Sequence, residues 1–420
     1  MTVFSRICAF LLLAGASFVS PLGAQHLLVP MDAAQSNHLK AYGLTYWLLS
    51  QGESAEWLLN YRAGSFLLPD LAQVRREAAL RGVHFEAVNG EELERIRGII
   101  QAGNMESVPL ETAPKIAVYT PPNATPWDDA VTMALTYADI PYETIWDPEV
   151  LTGGLEEYEW LHLHHEDFTG QYSKFYLSYQ DAAWLQEEVA RNREVADRFR
   201  FSDVPALKRA VAEEIRAYVE GGGFLFAMCS ATETLDLSLA SHATDITASY
   251  ANGRPPDANA NERMDWQSAL AFTAARVELS PSVNSFSDID YHQVNTNRRE
   301  RLGYFTLFEF SAKIDPVPTM LVQNHEALIP DFYGLTTSFR RSRLKPSITV
   351  LAEEGSWAKY IHGSYGAGTF TFYGGHDPED PEHQIGDPPT NLDLHPGSPG
   401  YRLILNNVLF PAARPRPLRT

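Results

Sequence analysis

Cysteine is almost absent from the 420-residue chain: Cys8 and Cys229 are the only two. Cys8 falls in an N-terminal stretch with the make-up of a secretory leader. Met1 to Arg6 bring one positive charge, Ile7 to Val19 an apolar core, and Pro21-Leu22-Gly23-Ala24 a small-residue exit. Cleavage after Ala24 is expected, and it leaves Cys229 as the only thiol. That excludes an intramolecular disulfide framework, although an exported compartment would allow one. Apolar runs are also scarce. The leader core is too short to span a bilayer comfortably and no later run is long enough, so a soluble, periplasmic or otherwise extracytoplasmic protein is expected, with no membrane insertion. Positive charge is the third shortage. Lys and Arg number 33 against 53 Asp and Glu, a formal charge of −20 that becomes −21 when Arg6 leaves with the leader. Such a surface repels phosphate, which argues against nucleic acid and anionic membrane as partners. A small molecule, sugar or peptide is the expected ligand. There is no HExxH run, no paired CxxC, no internal repeat and no low-complexity block.

Two glycine-started apolar runs carry the chemistry. In the first, Gly221-Gly222-Gly223 leads into Phe224-Leu225-Phe226-Ala227-Met228, which stops at Cys229; Ser230, Ala231, Thr232 and Glu233 then open the next segment. A strand that turns sharply into a helix lifts the turn residue above the sheet edge, where helix N–H groups favour a thiolate. The other reading of Cys229 is a small buried hydrophobe. In the second run, Gly366 to Tyr373 end at Gly374-Gly375-His376-Asp377-Pro378-Glu379. If the two strands are neighbours, His376 can take the thiol proton, and Asp377 or Glu379 can orient the imidazole.

A third cluster is Trp160-Leu161-His162-Leu163-His164-His165-Glu166-Asp167-Phe168-Thr169-Gly170. Strand alternation places His162 and His164 on one face and His165 on the other. His164, His165, Glu166, Asp167 and Gly170 then sit at a strand's carboxyl end, where α/β sheets bind ligands. Backbone N–H groups there and at Ser230 are expected to hold an oxyanion or substrate. Alternatively His164, His165, Glu166 and Asp167 join His376 or His383 around zinc, which suits imidazole and carboxylate ligands. With no defined ligand spacing, no metal and no cofactor are expected.

Residues 25–110 alternate between strand-like and helical stretches and predict a small α/β unit with parallel strands, joined to the rest by a Pro-containing linker at 105–114. A second α/β pattern runs from 114 to 412, with Thr319 to Val322 among its strands. Residues 240–300, rich in Asn, Asp, Ser and Pro, read as a long inserted lid or binding loop. A closing helix spans Tyr401 to Phe410, and 413–420 reads as a disordered tail.

Lys115 to Tyr119, the Cys229 turn and Gly374-Gly375-His376 resemble class I glutamine amidotransferase-like domains, and Gly368 to Phe410 resembles their ThuA-like branch. MDAAQSNHLKAYGL, WLLNYRAGSF, PPNATPWDDAVTMALTYADIPYETIWD and WLHLHHEDFTGQYSKFY resemble exported bacterial proteins labelled asparagine synthetase B over nearly the whole chain. The labelled reaction itself is excluded: Thr2 stands where a true synthetase exposes cysteine, and no SGGxDS-type ATP loop is present. The resemblance implies a doubly wound, mostly parallel sheet and a hydrolase of amide or related C–N bonds, with Cys229 as nucleophile and His376 as base. In the family the acid follows the histidine by two positions. Here Asp377 is inserted, so Asp377 and Glu379 are both candidates. Some members of that superfamily bind ligands without catalysis.

Overall fold

The computed structural model describes residues 26–122, 129–290, 303–382, 384 and 386–413. The leader at 1–24, most of the 413–420 tail, His383 and the end of the 240–300 segment lie outside them.

Residues 26–110 form a five-stranded sheet of β1 (His26–Val29), β2 (Ala55–Leu59), β3 (Ser65–Pro69), β4 (Glu86–Val88) and β5 (Glu106–Leu110), in the order β4-β1-β3-β2-β5. Every pairing is antiparallel, which corrects the parallel expectation. The cause is local. Asn60, Arg62, Ala63 and Gly64 all take positive φ, so the chain doubles straight back from β2 into β3. β5 occupies the stretch that composition marks as a linker, and Pro109 fits there because β5 is an edge strand. Asp70 does not cap the helix Ala72–Arg81; it pairs with Arg75.

Among the described residues, ten strands form a second sheet: β6 (Ile116–Tyr119), β7 (Glu143–Ile145), β8 (Trp160–Leu163), β9 (Phe224–Met228), β10 (Tyr304–Leu307), β11 (Leu328–Pro330), β12 (Phe339–Arg340), β13 (Thr349–Glu354), β14 (Trp357–Tyr365) and β15 (Gly368–Tyr373). The order is β11-β10-β13-β14-β15-β9-β8-β6-β7, with β12 on β14. β15, β9, β8, β6 and β7 are mutually parallel, and the rest extend the sheet antiparallel. The fold is therefore mixed α/β. The central strand β9 is apolar along its length because both faces are covered, and all five of its residues are buried.

One core joins the two sheets. Leu27, Val29, Trp57 and Phe66 of the small sheet pack in a single cluster with Ile116, Trp160 and Phe226 of the large one, through the helices His38–Ser50, Ala130–Tyr137 and Pro399–Leu409. The opposite face of the small sheet packs on the helix Gly90–Ala102 through Leu28, Leu58, Leu93 and Ile96.

One strand expectation fails here. Thr319 to Leu321 belong to a helix, Pro316–Leu321, started by a proline in its first turn, and Val322 is its C-cap. The described part of the 240–300 segment is packed rather than a free lid. Leu270, Phe272, Phe286 and Ile289 are buried in the core on the other face of the large sheet. The Asp236 carboxylate accepts the backbone N–H groups of Leu270, Ala271 and Phe272 at 2.7, 2.7 and 3.0 Å. Among the described residues no helix is long and apolar enough to cross a membrane.

Candidate functional site

Four adjacent parallel strands, β6, β8, β9 and β15, deliver their carboxyl ends to one edge. From β6 the chain goes to β7 on one side and then to β8 on the other, so the strand order reverses between β6 and β8. Crevices at such reversals are where open α/β sheets bind ligands.

Cys229 follows β9 with φ +49°, a left-handed conformation, and the helix Ala231–Ala240 begins two residues later. This is the turn read from the sequence. The register pairs Met228 with Tyr373, and the Cys229 N–H donates to the Gly375 carbonyl at 3.1 Å, so Cys229 and His376 leave the same edge of neighbouring strands. The sulfur, however, is covered. Cys229 is 2% exposed, and its Sγ accepts the Leu335 N–H at 3.3 Å. Burial pushes the thiol up to about 11, against the N–H groups of Leu335, Ser230 and Thr336 that favour its charge. The cover is the 331–337 loop, held by the buried Lys359–Asp331 pair at 2.9 Å, by Thr336 on Glu233 at 3.0 Å and by Thr337 N–H on Asp290 at 2.8 Å.

His376 has a second imidazole beside it. Its Nδ1 lies 3.1 Å from Nε2 of His164, and the two rings meet edge to face at 4.4 Å. His164 Nδ1 in turn is 3.3 Å from His162 Nε2 and 3.4 Å from the Asp129 carboxylate. Alternation does put His162 and His164 together, both fully buried. His165, just past the strand end, stands by the same rings, 5.4 Å from His164 and 5.9 Å from His376. Asp129 caps the helix Ala130–Tyr137, accepting the Val131 and Thr132 N–H groups at 2.8 and 3.0 Å. Burial would raise its pKa, but His162 and His164 hold it well below the ordinary carboxylate range.

The remaining expected residues are engaged in other ways. Asp377 accepts from Tyr401 at 2.8 Å, Thr390 at 2.7 Å and the Glu379 N–H at 2.9 Å. Glu379 pairs with His395 at 2.9 Å. Asp167 organises its own loop, taking N–H groups from Thr169, Gln171 and Ser173. Gly170 has φ +73° because its backbone passes Pro205 too closely for a side chain, and its N–H goes to Asp167 O. The first helical N–H after Ser230, that of Ala231, goes to the His164 carbonyl at 3.0 Å. Glu166 takes the His164 N–H at 2.9 Å, and burial pushes its acid up to about 8. His165 and Glu166 line a cleft with Trp146, Tyr172, Trp184 and Glu188. Two sets of ligand atoms stand close enough to share a cation: His164, His165 and His376, and Asp129, His162 and His164. Asp129 is the residue that sequence reasoning missed. An Asp ahead of an apolar helical run reads simply as a cap.

No protein-family model and no curated protein matches the chain. Among solved structures it is similar to Cytoplasmic Protein STM3548 from Salmonella typhimurium, at 12% identity over 72% of this chain and 100% of that one, TM-score 0.35. It is similar to Cytoplasmic Protein STM1381 from Salmonella typhimurium LT2 at 11% identity over 71% and 100%, also with TM-score 0.35. Likenesses this weak carry no argument about activity.

Proposed function

We propose that the chain is a glutamine amidotransferase-like hydrolase acting on an amide or related C–N bond of a small molecule, with water as the nucleophile in place of the Cys229 thiol. The resemblance supplies the bond type. The observation that carries the choice of nucleophile is a covered, protonated sulfur set beside an imidazole–carboxylate cluster at the strand-order reversal. Water adds to the carbonyl carbon and gives up a proton to the cluster, the C–N bond breaks, and the nitrogen leaves with a proton. The cleft at Trp146, Trp184 and Glu166 borders His165 and would receive the substrate. The leader-like residues 1–24 support an extracytoplasmic site of action.

A second reading keeps Cys229 as the nucleophile through a thioester, with His376 as base. The left-handed turn at Cys229 favours it, since that strained conformation is the one nucleophile elbows use. It requires the 331–337 loop to lift. Amine release from a panel of small carboxamides, N-acyl amino acids and ureides tests both. Turnover that survives Cys229→Ala and is lost in His164→Ala is expected; the opposite pattern would establish the thioester route. Ligand-induced thermal shifts without turnover on any member would leave a silent ThuA-like module that binds a sugar or peptide.

A further inference from the structure

We propose that Asp129, His162 and His164 hold one first-row divalent transition-metal ion, of the kind that zinc exemplifies. The proposal uses the site assigned above but does not depend on hydrolysis.

Polar atoms of the three side chains crowd together, one ligand atom from each lying within 4.8 Å of the others, and the two contacts to Asp129 end on its two different carboxylate oxygens. His162 Nε2 to Asp129 Oδ2 is 3.4 Å, His164 Nδ1 to Asp129 Oδ1 is 3.4 Å, and His162 Nε2 to His164 Nδ1 is 3.3 Å. Each contact is longer than an ordinary N–H···O hydrogen bond. A tetrahedral ion with bonds of about 2.0–2.1 Å separates its ligands by about 3.3–3.4 Å, which matches the 3.3 Å between the two imidazole nitrogens and the contact each makes with the carboxylate.

Proton accounting points the same way. His162 Nδ1 lies 3.0 Å from the Phe226 carbonyl, which can only accept, so that nitrogen carries a hydrogen and, in the neutral tautomer that binds metals, the Nε2 lone pair faces His164 and Asp129. Asp129 Oδ1 already accepts the Val131 and Thr132 N–H groups, so the carboxylate meets the two rings as an acceptor. His164 Nδ1 can supply one hydrogen, enough for one contact. The other contacts then set lone pair against lone pair among side chains with almost no exposure, His162 and His164 at 0% and Asp129 at 14%. A cation at the centre satisfies all three atoms at once.

The surroundings match those of a metal-binding histidine, whose second nitrogen is held by an outer partner. His162 Nδ1 has the Phe226 carbonyl, and His164 Nε2 has His376 Nδ1 at 3.1 Å. The helix-cap bonds fall on Oδ1 of Asp129, leaving Oδ2 turned toward His162. Two imidazoles and one carboxylate suit zinc or iron and leave a coordination position for water. Bound there, the ion would lower the pKa of that water, the proton loss that the hydrolytic reading requires.

The test is elemental analysis of the full chain, purified with a tag that contains no histidine and loaded with zinc. About one equivalent should remain after dialysis, be removed by a strong chelator with a fall in melting temperature, and return on reloading. Cobalt loading should give the visible absorption bands of a nitrogen–oxygen site. Asp129→Asn and His162→Gln should lower affinity roughly tenfold or more, whereas His165→Gln should not. Asp129→Asn keeps a helix cap and partial exposure, so it decides the matter even if the buried histidine variants do not fold. Wild-type protein that retains no zinc overturns the proposal. So does zinc kept by Asp129→Asn but lost by His165→Gln, which would move the ion to His164, His165 and His376. Zinc bound without turnover on any amide leaves this site standing and removes the hydrolytic reading alone.

Discussion

The backbone N–H of Leu335 points at the sulfur of Cys229 across 3.3 Å, and a carbon placed on Gly334 would stand 3.1 Å from the same atom. Backbone of the 334–335 turn thus stands directly against the thiol. With its pKa pushed up to about 11, only about one molecule in a thousand carries a thiolate at pH 8. Alkylation by iodoacetamide near neutral pH should therefore be very slow in native protein and fast after denaturation. Rapid native labelling would show that the loop opens readily and would favour the thioester route.

Asp331→Asn tests what holds that loop. The substitution leaves the fully buried Lys359 ammonium without its carboxylate, a change that costs about 3–5 kcal/mol where it occurs in protein interiors. The damage should concentrate in residues 331–337, so native Cys229 labelling should accelerate roughly tenfold or more through local opening. Mass-spectrometric labelling kinetics, beside a denaturant titration, measure both effects. Unchanged labelling would mean that the Thr336 and Thr337 bonds suffice.

Acid sensitivity should come from a stacked imidazole pair away from the strand-edge cluster. His38 and His325 lie face to face at 4.1 Å, and His325 Nδ1 is 3.1 Å from the buried Arg402. Burial, then Arg402, pushes His38 down to about 4; burial, then His38 and Arg402, pushes His325 down to about 3. For a base with a depressed folded pKa, the unfolded chain binds the proton first. Stability is thus unaffected above about pH 6.5 and falls as pH drops from there toward 4, by about 1.4 kcal/mol per pH unit per fully titrating ring. His325→Phe keeps an aromatic ring in the stack and should flatten the decline between pH 7 and 5, at a modest cost at pH 7. Denaturation midpoints across that range decide, and parallel curves for the two proteins would refute the assignment.

Asp236→Ala should cost about 2–4 kcal/mol, since three buried backbone N–H groups, of Leu270, Ala271 and Phe272, lose their shared acceptor. Hydrogen exchange should rise first across 265–290. Uniform loosening of the whole chain would mean that the segment has no separate anchor.

Those three bonds also explain what the sequence could not disclose. Residues 241–290 lack periodicity because a carboxylate and a few apolar side chains order them, and neither leaves a repeat to read. The strand ends at Cys229 and His376 were legible because glycine-started apolar runs mark buried parallel strands, and the shared face of His162 and His164 followed from alternation. Partners were not legible. Asp377 and Glu379 sit beside His376 in sequence yet bond to Tyr401, Thr390 and His395, and the carboxylate near the imidazoles comes from Asp129 on a different connection. The antiparallel return of β2 into β3 also escaped, because it depends on positive φ at Asn60, Arg62 and Ala63 as well as Gly64, and arginine and alanine do not announce that conformation.

The apolar cluster common to both sheets has a consequence for dissecting the chain. Arg402, wholly buried near the C-terminus, donates to the carbonyls of Met31 and Ala63 in the opening segment. Severing the polypeptide near residue 110 would strip the oily flank from each piece and part a buried guanidinium from the Met31 and Ala63 carbonyls. Neither fragment should be recoverable alone in soluble form, and the intact protein should melt in a single transition.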